Sequence, residues 1–166
     1  MRSLFDKCNE RQIGVFLIMV TFILDRWSKW WMVDGFGLAI NGPIHVLPFF
    51  DFTLVWNRGI SLGLFQAGSD GGRYLLITLT SVVTIGLIVW FFRALEKHLH
   101  IALGFIIGGS LGNIWDRFEY GAVADFIHLF WGGYSFYVFN LADSAITLGV
   151  IILLWDALLS PQKKPK

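Results

Sequence analysis

The sequence predicts an all-α membrane protein with a small β element: four transmembrane helices and a β-rich outer face. Three observations carry this. The chain is 55% hydrophobic with a mean hydropathy of +0.63, too apolar for an ordinary soluble globule of 166 residues. Four segments approach the roughly 20 mostly apolar residues that a helix needs to cross a bilayer. Between them lie two segments rich in glycine, aromatic and β-branched residues, which favour strands. The net charge of +1 gives no global field for nucleic acid. The single cysteine, Cys8, excludes an internal disulfide and offers no metal-ligand spacing.

In chain order, the first span is expected at 12–31. Arg2, Lys7 and Arg11 precede it in the manner of a signal peptide, but no small-residue cleavage site follows, and the run continues into DRWSK. Residues 35–65 come next, where HVLPFFDFTLVW reads as short strands. The second span, 74–92, carries no charge. The third, 99–115, presents Gly104, Gly108 and Gly112 every four residues, a smooth stripe for close approach of another helix. In 122–139, AVADFIHLFW and YSFYVF flank Gly132-Gly133 and predict a hairpin. The fourth span is 141–159. With no linker and no internal repeat, residues 1–166 are expected to form one unit.

Lys and Arg bias gives the orientation. Arg2, Lys7, Arg11, Arg93, Lys97, Lys163, Lys164 and Lys166 flank one side of the four spans, which puts both termini in the cytoplasm. Arg26, Lys29, Arg58, Arg73 and Arg117 lie at the other helix ends, so 32–73 and 116–140 face outward. The tryptophans of that side, Trp27 to Trp131, form an aromatic belt.

Ionisable residues in or beside spans are costly and mark functional candidates. Here they gather at one depth. Asp25 lies roughly 20 Å into the first span at 1.5 Å per residue; Asn113 and Asp116 close the third span at that end, and Asn140 and Asp143 open the fourth there. Asp25 and Lys29, at i,i+4, read as a structural ion pair. Arg117 is a fork donor for Asp116 or a loop carbonyl. Asn57 and Gly59 in WNRGIS have the chemistry of a turn. Asp125 and Asp143 differ, because neither has a Lys or Arg within four positions. Asp143 follows Asn140 by three, which fits a helix cap as well as a catalytic role. Asp125 sits in an apolar stretch where burial raises its pKa. Two such carboxyls brought together keep one proton between them, so that one activates water and the other stays an acid. Such chemistry needs no metal. His45, His98, His100 and His128 show no metal pattern: His98 and His100 read as solvated loop residues, and His128 as a polar residue on the strand face opposite Asp125.

Five motifs in order resemble the lipoprotein (type II) signal peptidases over nearly the whole chain: DRWSK (Asp25 to Lys29), NRGISLG (Asn57 to Gly63), GGSLGNIWDR (Gly108 to Arg117), ADFI (Ala124 to Ile127) and FNLADS (Phe139 to Ser144). Ser28, Ser61, Leu62 and Ser110 replace residues common in the family. The resemblance implies a four-helix bundle with a periplasmic β-cradle in the bacterial inner membrane. It implies an aspartyl endopeptidase without cofactor or metal, acting on prolipoproteins that already carry diacylglycerol on the cysteine after the scissile bond. Membrane lipids would be its other partners and globomycin-type cyclic peptides its inhibitors. By likeness, Asp125 and Asp143 are catalytic; Asn57, Gly59, Asn113, Arg117, Asn140 and Ala142 position substrate or site; Asp25, Lys29 and Asp116 support it. The alternatives are a small proton-coupled membrane transporter, a metal-dependent membrane enzyme using grouped aspartates, and a scaffold whose polar ends only cap helices.

Overall fold

The computed structural model of the protein describes residues 4–59 and 70–159. It is mostly helical, with one four-stranded sheet. Helix α1 (Leu4–Trp30) continues as a single π-helical turn, Trp31–Gly35, and a short α2 (Leu38–Asn41) leads to strands β1 (Ile44–Leu47) and β2 (Phe50–Asn57). Then follow α3 (Asp70–Arg93), α4 (Lys97–Glu119), β3 (Val123–Trp131), β4 (Tyr134–Phe139) and α5 (Leu141–Leu159). Helix α5 coincides with the expected span 141–159, whereas α1 starts before its span and α3 and α4 outrun theirs at both ends, because the apolar windows omit polar end turns, which complete helices at little cost. Of the 35–65 β-rich segment, residues 60–65 lie outside the described part, as do Ser61, Leu62 and Gly63 of the second motif.

Helix α4 is the hub, packing against α1, α3 and α5. Its buried face includes Ala102, Leu103, Ile106, Ile107 and four glycines. The glycine stripe has two sides. A Cβ on Gly104 or Gly108 would meet the backbone of α1 at Gly14 and Ile18, whereas one on Gly109 would come within 2.6 Å of the Ala142 carbonyl oxygen of α5. Gly112 abuts a side chain instead, since its Cβ would collide with the Asp25 carboxylate.

The outward faces are apolar: Phe16 and Ile23 on α1, Leu75, Val82 and Ile85 on α3, and Ile151, Leu154 and Leu158 on α5 are exposed. Small and polar residues inside with large apolar residues outside is the pattern of a bundle solvated by lipid. Helices α3 and α5 are each long and apolar enough to cross a membrane.

The sheet runs β1-β2-β3-β4, all antiparallel. As the sequence predicts, Gly132 and Gly133 turn the β3–β4 hairpin with φ of 55° and 84°, values a two-residue type I′ loop requires at both positions. A hydrogen-bonded chain crosses the strands. Asp51 accepts from His128 Nδ1 at 2.8 Å, His45 Nδ1 approaches the other Asp51 oxygen at 3.5 Å, and His128 Nε2 lies 2.6 Å from Ser135 Oγ. His100 departs from expectation. Because α4 starts at Lys97, His100 faces inward from its first turn, 2% exposed and edge-on to Phe91. His98, half-exposed, pairs with Glu96 and Asp156 at the same end.

At the other end, one buried ammonium joins the elements. Lys29 Nζ lies 2.8 Å from both Asp25 and Asp116 and donates to Asn113 Oδ1 at 3.0 Å. Asp25 accepts from the Ala142 backbone N–H at 2.9 Å, and Asp116 from that of Ala124 at 3.1 Å, so the cluster also anchors α5 and β3. Arg26 pairs with Asp116 as well. Burying such charges is tolerable only while each keeps a partner. Lys29→Met, which strands Asp25, is expected to cost about 3–5 kcal/mol, read as a lower thermal unfolding temperature in detergent. An unchanged temperature would mean that the cluster does not hold the bundle.

Candidate active site

Asp125 is placed by strand β3. Register puts it opposite Val55, with Ala124 opposite Trp56, and the flanking Val123, Ala124 and Phe126 are buried. Its carboxylate is itself 1% exposed and has two amide donors: Asn140 Nδ2 to Oδ1 at 2.6 Å and Asn57 Nδ2 to Oδ2 at 3.0 Å. Burial first, and then the Asp143 carboxylate, push its pKa up to about 7, against the pull of those amides.

Asp143 occupies the first turn of α5. Its backbone N–H donates to Asn140 Oδ1 at 2.9 Å, while its own Oδ2 faces the Asn140 N–H at 3.4 Å, a reciprocal capping box. The other oxygen accepts from Asn113 Nδ2 at 2.8 Å. The two readings open in the sequence are thus compatible, for Asp143 caps the helix and also lines a cavity with Asn57, Asn113 and Arg117.

Asn140 touches both carboxylates, its side-chain amide donating to Asp125 and its backbone N–H facing Asp143 Oδ2, while its side-chain oxygen receives the Asp143 backbone N–H. Asn113 links this pair to the ion cluster, accepting from Lys29 while donating to Asp143. Asn57 and Gly59 form the expected turn, Gly59 N–H donating to Asn57 Oδ1 at 2.9 Å. Arg117, 6% exposed, takes the loop-carbonyl option: it donates to Gly59 O at 2.7 Å and Asn113 O at 3.2 Å, leaving Asp116 to Lys29 and Arg26. Ala142 contributes its backbone N–H to Asp25.

The predicted site residues therefore come together as two layers. Asp25, Lys29 and Asp116 form a charge-compensated base, and Asp125 and Asp143 lie above it with neutral amide donors. Sequence reasoning passed over three contributors. Arg26 bridges Asp116 and Glu119. Arg73 donates to the Arg117 and Phe118 carbonyls, both at 2.7 Å, and so caps the end of α4. Tyr137 meets Asn57 at 2.7 Å. Arg26 lies inside the first motif and had a local signal; Arg73 and Tyr137 act across long sequence separations and had none.

Three cavities meet here. One of about 200 Å³ holds Asp143 and Arg117; one of about 390 Å³ lies along β2 and β4 beside Asp125; a third of about 530 Å³, mostly apolar, runs from Asp143 past Leu148 to Ile151 on α5. A polypeptide and an apolar chain could thus both reach the carboxylates.

The chain resembles known proteins in both sequence and fold. The model of the signal peptidase (SPase) II family matches residues 17–159. The lipoprotein signal peptidase of Methylorubrum extorquens (strain PA1) is 47% identical over 152 residues, covering 92% of this chain and 89% of that protein. That of Methylobacterium radiotolerans is 48% identical over 153 residues, covering 92% and 90%. Among solved structures, a bacterial membrane enzyme determined by the in meso method at 2.3 Å resolution superposes with a TM-score of 0.77 at 27% identity, covering 93% of this chain and 95% of that one. Similarity of this extent does not favour a transporter, and the chain belongs to the signal peptidase II family, aspartic proteases that remove signal peptides from prolipoproteins.

Proposed function

We propose that Asp125 and Asp143 are the catalytic pair and that residues 1–166 form a single four-span unit with the pair at its periplasmic end. The observation that carries this reading is the pair's surroundings: a buried and a half-buried carboxyl both meet Asn140, and each is held by neutral donors, whereas Asp25 and Asp116 are neutralised by Lys29 and Arg26. A carboxyl in such a place can change protonation state; an ion-paired one is locked.

The step is a hydrolysis. One carboxylate removes a proton from water as the oxygen attacks the scissile carbonyl; the protonated partner then gives its proton to the leaving amine, and the pair regains its single proton. The raised pKa of Asp125 beside the Asp143 carboxylate suits the pair to share one proton at rest. Asp143, at the start of α5, sits where helix N–H dipoles favour a carboxylate. Asn57, Asn113 and Asn140 orient the two groups, Arg117 and Gly59 hold the loop beside them, and Asp25, Lys29, Asp116 and Ala142 fix the framework.

The substrate is a prolipoprotein carrying diacylglycerol on the cysteine that follows the scissile bond. The apolar cavity from Asp143 to Ile151 supports this, since acyl chains seated there would hold the bond beside the pair, and proximity contributes much of the rate. Globomycin-type cyclic peptides would compete for the same space. Four spans with cytoplasmic termini follow from the Lys and Arg bias and from the apolar outer faces of the helices. The site then lies at the outer edge of the inner membrane.

Each of Asp125→Asn and Asp143→Asn is expected to abolish cleavage of lipidated precursor while leaving thermal unfolding near wild type; normal processing by either would remove that residue from the pair. As for pH, a raised pKa keeps the Asp125 acid available below about 7, so kcat/KM should fall as pH rises through about 7. A profile flat across neutrality contradicts the assignment. Purified protein should cleave diacylglyceryl-modified precursor and not the unmodified form, equally with and without EDTA. Loss of activity on chelation would point to a metal enzyme instead.

A further inference from the structure

We propose that Tyr137 is a positioning residue of the catalytic pair, its hydroxyl fixing the Asn57 amide that holds Asp125. The inference rests on the assignment of Asp125 made above and extends it to a residue that no motif contains.

Two observations support it. The Asn57 amide group has two N–H bonds, and they divide between two acceptors: Asp125 Oδ2 at 3.0 Å and Tyr137 Oη at 2.7 Å. The amide oxygen is taken by the Gly59 N–H at 2.9 Å. With all three bonds made, the amide plane is set, and the donor to Asp125 points in one direction. Without the Tyr137 hydroxyl, one amide hydrogen loses its acceptor, and the group is held by the other two contacts alone.

The second observation is where Tyr137 stands. It lines both the cavity beside Asp125 and the apolar cavity beside Asp143, while Asn57 is common to the Asp125 cavity and the one that holds Arg117. The Asn57–Tyr137 contact therefore lies where the cavities meet, between strands β2 and β4, which are not neighbours in the sheet. It ties the two strands across β3, the strand that carries Asp125. The other tyrosine of the strand, Tyr134, is 79% exposed at the far end of the hairpin and serves as the control.

Tyr137→Phe keeps the ring and removes only the hydroxyl. It is expected to lower kcat on lipidated precursor about tenfold, the effect of one misdirected hydrogen bond, with KM within about twofold of wild type. Tyr134→Phe should leave both constants unchanged. A second readout needs no activity: the Asn57 side-chain amide resonances, identified by their loss in Asn57→Ala, should shift in Tyr137→Phe and stay in place in Tyr134→Phe. Unchanged kcat in Tyr137→Phe overturns the proposal. So does a fall in kcat with the Asn57 resonances unmoved, since Tyr137 would then act by another route. If the wild-type protein fails to cleave lipidated precursor, the proposed function fails, and the resonances still decide whether Tyr137 orients Asn57.

Discussion

A buried ammonium in a mostly apolar bundle has to find every hydrogen-bond acceptor within reach, and Lys29, 0% exposed, finds three. Those three belong to α1 and α4, and through them the constraint spreads. Asp25 receives the N–H of Ala142 at the start of α5, and Asp116 that of Ala124 in β3. One charge thus sets where two helices, a helix start and a strand lie relative to each other. The fit is close enough that Gly112 has to lack a side chain, because a methyl group there would occupy the space of the Asp25 carboxylate.

This arrangement divides the acids Asp25, Asp116, Asp125 and Asp143 into two kinds. Asp25 and Asp116 have cations against them and hold structure together; Asp125 and Asp143 have asparagines. An amide donates a hydrogen bond without neutralising the acceptor, so a carboxyl held this way is fixed in position yet free to gain or lose a proton. Asn113 stands at the border, taking a hydrogen bond from Lys29 and giving one to Asp143. Rigidity is transmitted from the charged layer to the proposed catalytic layer, and the positive charge stays one residue away.

The membrane adds a second constraint. Helix α4 buries its glycines and polar residues together with Leu103, Ile106 and Ile107, while α1, α3 and α5 turn large apolar residues outward. The polar layer lies at the end of the bundle where the sheet joins it, with cavities that are more polar along the sheet and apolar along α5. A substrate that is peptide on one side and lipid on the other, as proposed for the modified prolipoprotein, fits that division.

Much of this was legible in the sequence because the signals are local. Hydropathy marked the helices, Gly132-Gly133 the hairpin, and the lack of Lys or Arg neighbours separated Asp125 and Asp143 from Asp25. Motif order identified the family, and the capping relation of Asn140 to Asp143 was readable from a spacing of three. What the tertiary structure alone decided are the contacts between residues far apart in the chain. They include the placement of Asp116 against Lys29 and Arg26 with Arg117 left for Gly59, the inward turn of His100, the Arg73 cap on α4, and the meeting of Tyr137 with Asn57. None of these has a sequence signature, because a hydrogen bond across 80 residues is set by how helices and strands pack and not by the spacing of the residues that make it.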